Sequence, residues 1–173
     1  MSYQQVKISE SEAETIASVL FDVKGRASAL PGELDFNFRI KVENQDGFIL
    51  KVSRPGEDED YLDFQQKLLT YVENSSADLI APRVIRDKDG NAVSEYVDHF
   101  DEKRKVRLLS WVSGRVWSAV NPQLDELRYS LGEQCGLLTT ALQGFDHPHA
   151  HRSFEWDIAA SLWTKDFLHL FQG

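Results

Sequence analysis

The sequence predicts an α+β fold, and three observations carry the prediction. About five stretches of strand length alternate or run apolar, and hairpin-type turns separate them. Two helical patterns stand apart from these, one before the strands and one among them. After Ser113-Gly114 the chain changes to long helical periodicity rich in leucine and aromatic residues. Strands joined by hairpins and packed by separate helices belong to α+β architectures, not to a doubly wound sheet. The 173 residues fall within the range of one domain, and 42% hydrophobic content is enough for a core.

Taken in order, Ser9 to Val23 reads as a helix, with Ser11 and Glu14 at capping-box spacing. Ile16, Val19, Leu20 and Val23 form its apolar stripe, and Lys24-Gly25 ends it. Arg26 to Leu30 is a short strand, and Pro31-Gly32 turns the chain into the next. From Phe36 to Val42, apolar Phe36, Phe38, Ile40 and Val42 alternate with polar residues, the mark of a half-buried strand. Asn44-Gln45-Asp46-Gly47 is turn chemistry, and Phe48 to Val52 returns as a second strand. Glu57 to Asp60 supplies acids suited to the positive end of a helix over Tyr61 to Glu73, whose inward stripe is Phe64, Leu68, Tyr71 and Val72. Strands follow at Arg83–Arg86, Asn91–Asp98 and Lys103–Val112, the first two joined by the turn Asp87-Lys88-Asp89-Gly90. Asn121-Pro122 opens a long helix marked by Leu124, Leu127, Leu131, Cys135, Leu138, Leu142 and Phe145, with Cys135 expected in the core. The histidine-rich stretch His147 to His151 reads as a polar loop, and Phe154 to Phe171 as a very apolar helix.

Composition excludes several classes. A net charge of −9 argues against a general nucleic-acid or acidic-membrane surface. One cysteine excludes an internal disulfide and a cysteine-based zinc site. With no signal-like apolar run and no stretch of membrane-spanning length, a soluble cytoplasmic protein is expected. No Walker-type loop, Gly-x-Gly-x-x-Gly, Gly-x-Ser-x-Gly or His-Glu-x-x-His occurs. No cysteine or nearby cluster of carboxylates completes a metal site with the three histidines of the loop, so none is expected there.

Lys51 is the informative residue. Opposed residues of an antiparallel pair share a face. A turn on Asp46-Gly47 alone, or on Asn44–Gly47, pairs Lys51 with Val42 or Ile40 and places it on the apolar face. An ammonium there requires an anion, either a carboxylate or a ligand phosphate, unless it snorkels to water from a strand end.

These residues resemble a known family. A loop with glycine, a strand containing Asn37, a turn and then Ile49-Leu50-Lys51-Val52 look like the N-lobe of the aminoglycoside phosphotransferase and choline-kinase-like enzymes. The run Gly32-Glu33-Leu34-Asp35-Phe36-Asn37-Phe38 is most similar to the hydroxylysine-kinase-like branch. The helix Leu62–Val72 stands where that family has its first N-lobe helix. Arg107-Leu108-Leu109-Ser110-Trp111-Val112-Ser113-Gly114 resembles the linker strand that contacts adenine, and Arg152-Ser153-Phe154-Glu155-Trp156-Asp157 the start of the helical C-lobe.

The resemblance implies a protein-kinase-like nucleotide-binding N-lobe over residues 1–112, then a linker and the truncated start of a helical C-lobe over 113–173. Lys51 would bind the α/β-phosphates of ATP. The loop Pro31–Phe36 would cover them, with Gly32, Asp35 and Asn37 among the contacting residues. Backbone groups of Ser110, Trp111 and Val112 would hold adenine, with Ile49 as an apolar wall. Gln65 stands where the family places the lysine's glutamate partner, and a glutamine cannot neutralise an ammonium. The catalytic His-Gly-Asp loop, its downstream asparagine and the later magnesium-binding aspartate are absent from these residues. The intact protein is then expected to transfer the γ-phosphate of ATP, with Mg2+, to a hydroxyl of a small amine-bearing molecule, and this stretch alone to be inactive. The alternatives are an accessory domain fused to a class III pyridoxal-phosphate aminotransferase, or a degenerate interaction module. The apolar C-terminal helices are expected to support a homodimer.

Overall fold

A computed structural model describes residues 7–75, 79–152 and 157–171 of the protein. Helix α1 (Glu10–Phe21) starts at Ser9, whose hydroxyl accepts the Glu12 N–H at 3.1 Å. The capping box expected at Ser11 and Glu14 does not form. Ser11 is already inside the helix, and the Glu14 carboxylate accepts the Ala27 N–H at 3.0 Å instead. Asp22 ends the helix in the left-handed region at φ 55°, and the Val23 N–H closes back on the Ala17 carbonyl at 3.1 Å. Ala13, Ile16, Ala17 and Phe21 are buried, whereas Val19 is exposed. The small alanines let the sheet approach on their side, which turns the buried stripe away from Val19.

Strands β1 (Arg26–Leu30), β2 (Phe36–Lys41), β3 (Phe48–Val52), β4 (Val84–Ile85), β5 (Ser94–Val97) and β6 (Lys103–Ser110) form one antiparallel sheet. The order is β1-β2-β3-β6-β4, and β5 also pairs with β6. Phe36, Phe38, Ile40, Leu50, Val52, Val106 and Leu108 point to one face and pack with α1 as the core. Arg104 lies on this face too, fully buried with Asp98, and its Nη2 is 2.6 Å from Oδ2.

The register of β2 on β3 corrects one expectation. Lys51 opposes Asn37, not Val42 or Ile40, so it lies on the face away from α1. The last pair is Ile40 with Phe48, and the whole of Lys41–Gly47 forms the connection. Asn44 (φ 59°) and Gly47 (φ 85°) turn it, and the Gly47 carbonyl is held by the Trp111 N–H at 3.1 Å. A connection of that length shifts the register by an odd number of residues, which exchanges the faces.

Helix α2 (Glu59–Ser75) is capped by Asp58, whose Oδ1 accepts the Asp60 N–H at 3.0 Å. It lies against the Lys51 face of the sheet, with Glu59 reaching Lys105 and Gln65 reaching Arg107. Leu62, Gln66 and Val72 are its buried residues. Phe64 and Tyr71, expected inward, instead flank Phe145, with ring centroids 6.2 and 5.1 Å away.

Beyond the sheet, α3 spans Asp125–Ala141 and begins after, not at, Asn121-Pro122. Gln123 and Leu124 stay outside it, and Asp125 and Glu126 place carboxylates at its positive end. Cys135 is exposed rather than in the core, and of this helix only Ala141 is buried. The leucine periodicity foretold the helix, but little of the chain lies against its apolar side. Pro148–His151 is a 3₁₀ turn, and Ile158–Phe171 is helical as expected but with 3₁₀ geometry. Residues 153–156, part of the expected C-lobe motif, lie outside the described residues. No helix of the described residues is long and apolar enough to cross a membrane.

Candidate functional site

The face of the sheet away from α1 carries a polar row across three strands. Asn37 of β2 opposes Lys51 of β3, and Lys51 opposes Arg107 of β6. The Lys51 ammonium donates to the Asn37 Oδ1 at 2.9 Å and lies 3.0 Å from the Asp35 Oδ2. Arg107 reaches the same oxygen through Nη2 at 2.7 Å, and its Nη1 donates to the Gln65 Oε1. The anion that Lys51 requires is therefore a carboxylate, although the face is not the one expected. Lys51 is 24% exposed and Arg107 1%, so both cations are held in a largely enclosed setting. Gln65, expected beside Lys51, serves Arg107 instead and joins Lys51 only through Asp35.

The loop ahead of β2 closes over this row. Asn37 Nδ2 donates to the Pro31 and Asp35 carbonyls at 3.3 and 3.4 Å, and Arg54 Nη2 donates to the Glu33 carbonyl at 2.8 Å. Gly32 packs so tightly that a Cβ there would lie 2.2 Å from Asn37 Nδ2. Gly32, Asp35 and Asn37 thus meet around Lys51.

The group expected to contact adenine is continuous with the row. Ile49 lies two residues from Lys51 on the same face and opposes Leu109, which supplies a second apolar surface. The Ser110 N–H is taken by the Arg83 carbonyl at 2.9 Å and the Trp111 N–H by Gly47. The Trp111 ring stacks under the Arg39 guanidinium at 4.0 Å. Of their backbone groups, Ser110 and Trp111 can therefore offer a base only the carbonyls, while Val112, partly exposed, follows directly.

Arg107 is the member that sequence reasoning passed over. It sat inside the linker motif as one residue of an apolar run, and only the pairing of β6 with β3 shows that it shares a face with Lys51. The histidine loop is likewise less isolated than its sequence neighbours suggest. His147 Nε2 is 3.2 Å from the Asp63 Oδ2, and Asp58, Asp60 and His149 bring ligand atoms within 4.8 Å of one another. A hydrogen bond from Lys67 holds the Asp63 carboxyl below the usual range; burial opposes this and His147 adds to it. A separate groove of about 580 Å³ runs between α2 and Gly144–Asp146, with Gln66, Lys67, Tyr71 and Arg86 among its walls. It shares no residue with the Lys51 row.

Comparison with known proteins shows the family and the fold. The family described as "Phosphotransferase enzyme family" matches residues 26–172. Among solved structures, the chain is similar to amicoumacin kinase hAmiN, solved in complex with AMP-PNP, Ca2+ and Ami. That match has a TM-score of 0.69 at 15% identity and covers 90% of this chain and 47% of that one. It is also similar to a microcompartment-associated aminopropanol kinase, with a TM-score of 0.61 at 22% identity, covering 85% and 45%. The chain thus spans less than half the length of either kinase. At these identities the likeness is one of fold. No curated protein matches the chain.

Proposed function

Because the chain belongs to the phosphotransferase enzyme family, we propose that it is the nucleotide-binding lobe, with the first helices of the second lobe, of an ATP-dependent small-molecule kinase. The observation that carries this reading is the enclosed row Asn37–Lys51–Arg107 beneath the Gly32–Asp35 loop. Lys51 binds the α/β-phosphates, Gly32 lets the loop backbone lie close over them, and Asn37 holds both loop and ammonium. Ile49 and Leu109 form one apolar wall against the base, and the carbonyls of Ser110 and Trp111 with the backbone of Val112 read its edge. The residues fit a nucleotide triphosphate, since two cations lean on a single carboxylate. ATP with Mg2+ supplies the transferable phosphoryl group. The acceptor is a hydroxyl on a small amine-bearing molecule, a reading favoured by the structural neighbour that acts on aminopropanol. The group that positions the nucleophile would come from the His-Gly-Asp loop, and the protein ligands for Mg2+ from its downstream asparagine and the later aspartate, none of which these residues contain.

Calorimetric titration of the chain with MgATP tests this. Saturable binding is expected, and Lys51→Ala should abolish it. Absence of binding in the wild type would leave only an association module. No ATP-dependent phosphorylation of ethanolamine, choline or hydroxylysine is expected from residues 1–173. Turnover typical of a kinase would show that the catalytic group lies within them after all.

A further inference from the structure

Lys51 and Arg107 stand directly opposite one another on neighbouring strands, and like charges so placed repel. Both rely on one oxygen, Oδ2 of Asp35, at 3.0 and 2.7 Å. Asn37 and Gln65 add only neutral acceptors. Two cations against one carboxylate leave an enclosed excess of positive charge. Arg107 is also under-used. Nε and Nη2 form the side-on edge of a guanidinium, which takes an oxyanion through two parallel bonds. Here Nη2 holds Asp35, while Nε is buried without a hydrogen-bond partner. The carboxylate therefore occupies a two-toothed fork with a single oxygen. It also comes from the connection between β1 and β2, not from the sheet itself.

We propose that Lys51 and Arg107 together form a two-cation seat for one phosphate group, and that Asp35 fills this seat until the phosphate replaces it. The proposal rests on the nucleotide reading above and deepens it by assigning Arg107 as a second phosphate ligand and Asp35 as the internal anion that yields. A phosphate suits the seat better than the carboxylate does. Its several oxygens reach Lys51 Nζ and both Nη2 and Nε of Arg107 at once, and its larger negative charge balances both cations. Arg107 enters from a central strand that is already paired on both sides, so the seat is fixed and only the Asp35 loop has to move.

The test is titration of the full chain with MgATP, inorganic tripolyphosphate and adenosine, with thermal unfolding as the check on folding. Arg107→Gln should weaken MgATP and tripolyphosphate by about tenfold or more and leave adenosine unchanged. Arg107→Lys should recover part of the loss, because it restores the charge but not the fork. Asp35→Asn should tighten both phosphate compounds several-fold, an outcome that misfolding cannot produce. If MgATP binds the wild type but Arg107→Gln binds it equally well, or Asp35→Asn weakens it, the seat is overturned and the nucleotide reading stands. If tripolyphosphate binds through Arg107 while MgATP does not bind, the seat stands and the nucleotide reading fails. Binding of neither to the wild type overturns both.

Discussion

At Asp98 four donors meet one buried carboxylate: Arg104 Nε and Nη2 at 2.7 and 2.6 Å, and the N–H groups of Phe100 and Glu102 at 2.8 and 3.0 Å. Burial pushes its pKa up, but the hydrogen bonds from Glu102, Arg104 and Phe100 outweigh it, and the net shift is downward. Asp98→Ala leaves Arg104 buried without its carboxylate and should cost about 3–5 kcal/mol, read from urea unfolding at neutral pH. Gly32 matters for a different reason. A Cβ there would meet Asn37 Nδ2 at 2.2 Å and the Asp35 carbonyl at 2.4 Å, so Gly32→Ala must lift the loop off Asn37. Overpacking of this kind typically costs about 1–3 kcal/mol. Much of that should appear as weaker MgATP binding in a titration, with the core of the sheet keeping its protection from amide exchange. Gly32, Asp35, Asn37 and Lys51 were grouped by the resemblance to a known family, not by the expected hairpin, whose register put Lys51 on the face opposite Asn37. Arg107 was not, because its membership depends on a ladder between segments far apart in the chain.

Strand β1 is the outer edge of the sheet, and α1 closes part of that edge. Glu10 and Glu14, one turn apart, accept the N–H groups of Ala29 and Ala27 at 2.9 and 3.0 Å. Open strand edges invite pairing with other chains. Replacing both glutamates by alanine should speed amide exchange at Ala27 and Ala29 selectively and destabilise the fold by about 1–3 kcal/mol. The sequence marked both elements and nearly all of their boundaries, since β1, β2 and β3 follow alternation and turn chemistry. It misassigned Glu14 to a cap, because spacing alone does not say whether a carboxylate turns toward its own helix or a neighbouring strand. It also misjudged the face of Lys51. Period-two alternation fixes the faces within each strand, but the connection from Lys41 to Gly47 fixes how one strand lies on the next. Helix α3 shows the same division, since its leucine spacing foretold a helix and not what covers it.

Across the whole molecule, the ionised pairs set a pH window. Asp63, Asp87 and Asp98 all have lowered pKa values, so each adds stability above the ordinary carboxylate range, and that stability is lost as pH falls through the folded values. Lys105 is raised by Glu59 and then Glu95, so its contribution is complete below the ordinary lysine range and is lost as pH rises through the folded value. Thermal unfolding should therefore show a plateau of stability between about pH 5 and 10, with an acid limb that shallows in Asp98→Ala. The α+β class was legible at this scale because hairpin turns and separated helices leave few other arrangements. The central place of β6 was not, because no local pattern tells a strand how many neighbours it will have. That place governs how the molecule comes into being on a ribosome. The meander β1–β3 leaves the exit tunnel first, and one rim of β3 then waits for Lys103–Ser110, a delay of several seconds at about 5–20 residues per second. Until then the nascent chain carries Lys51 without Arg107 beside it, so the polar row is completed only with the last strand of the sheet.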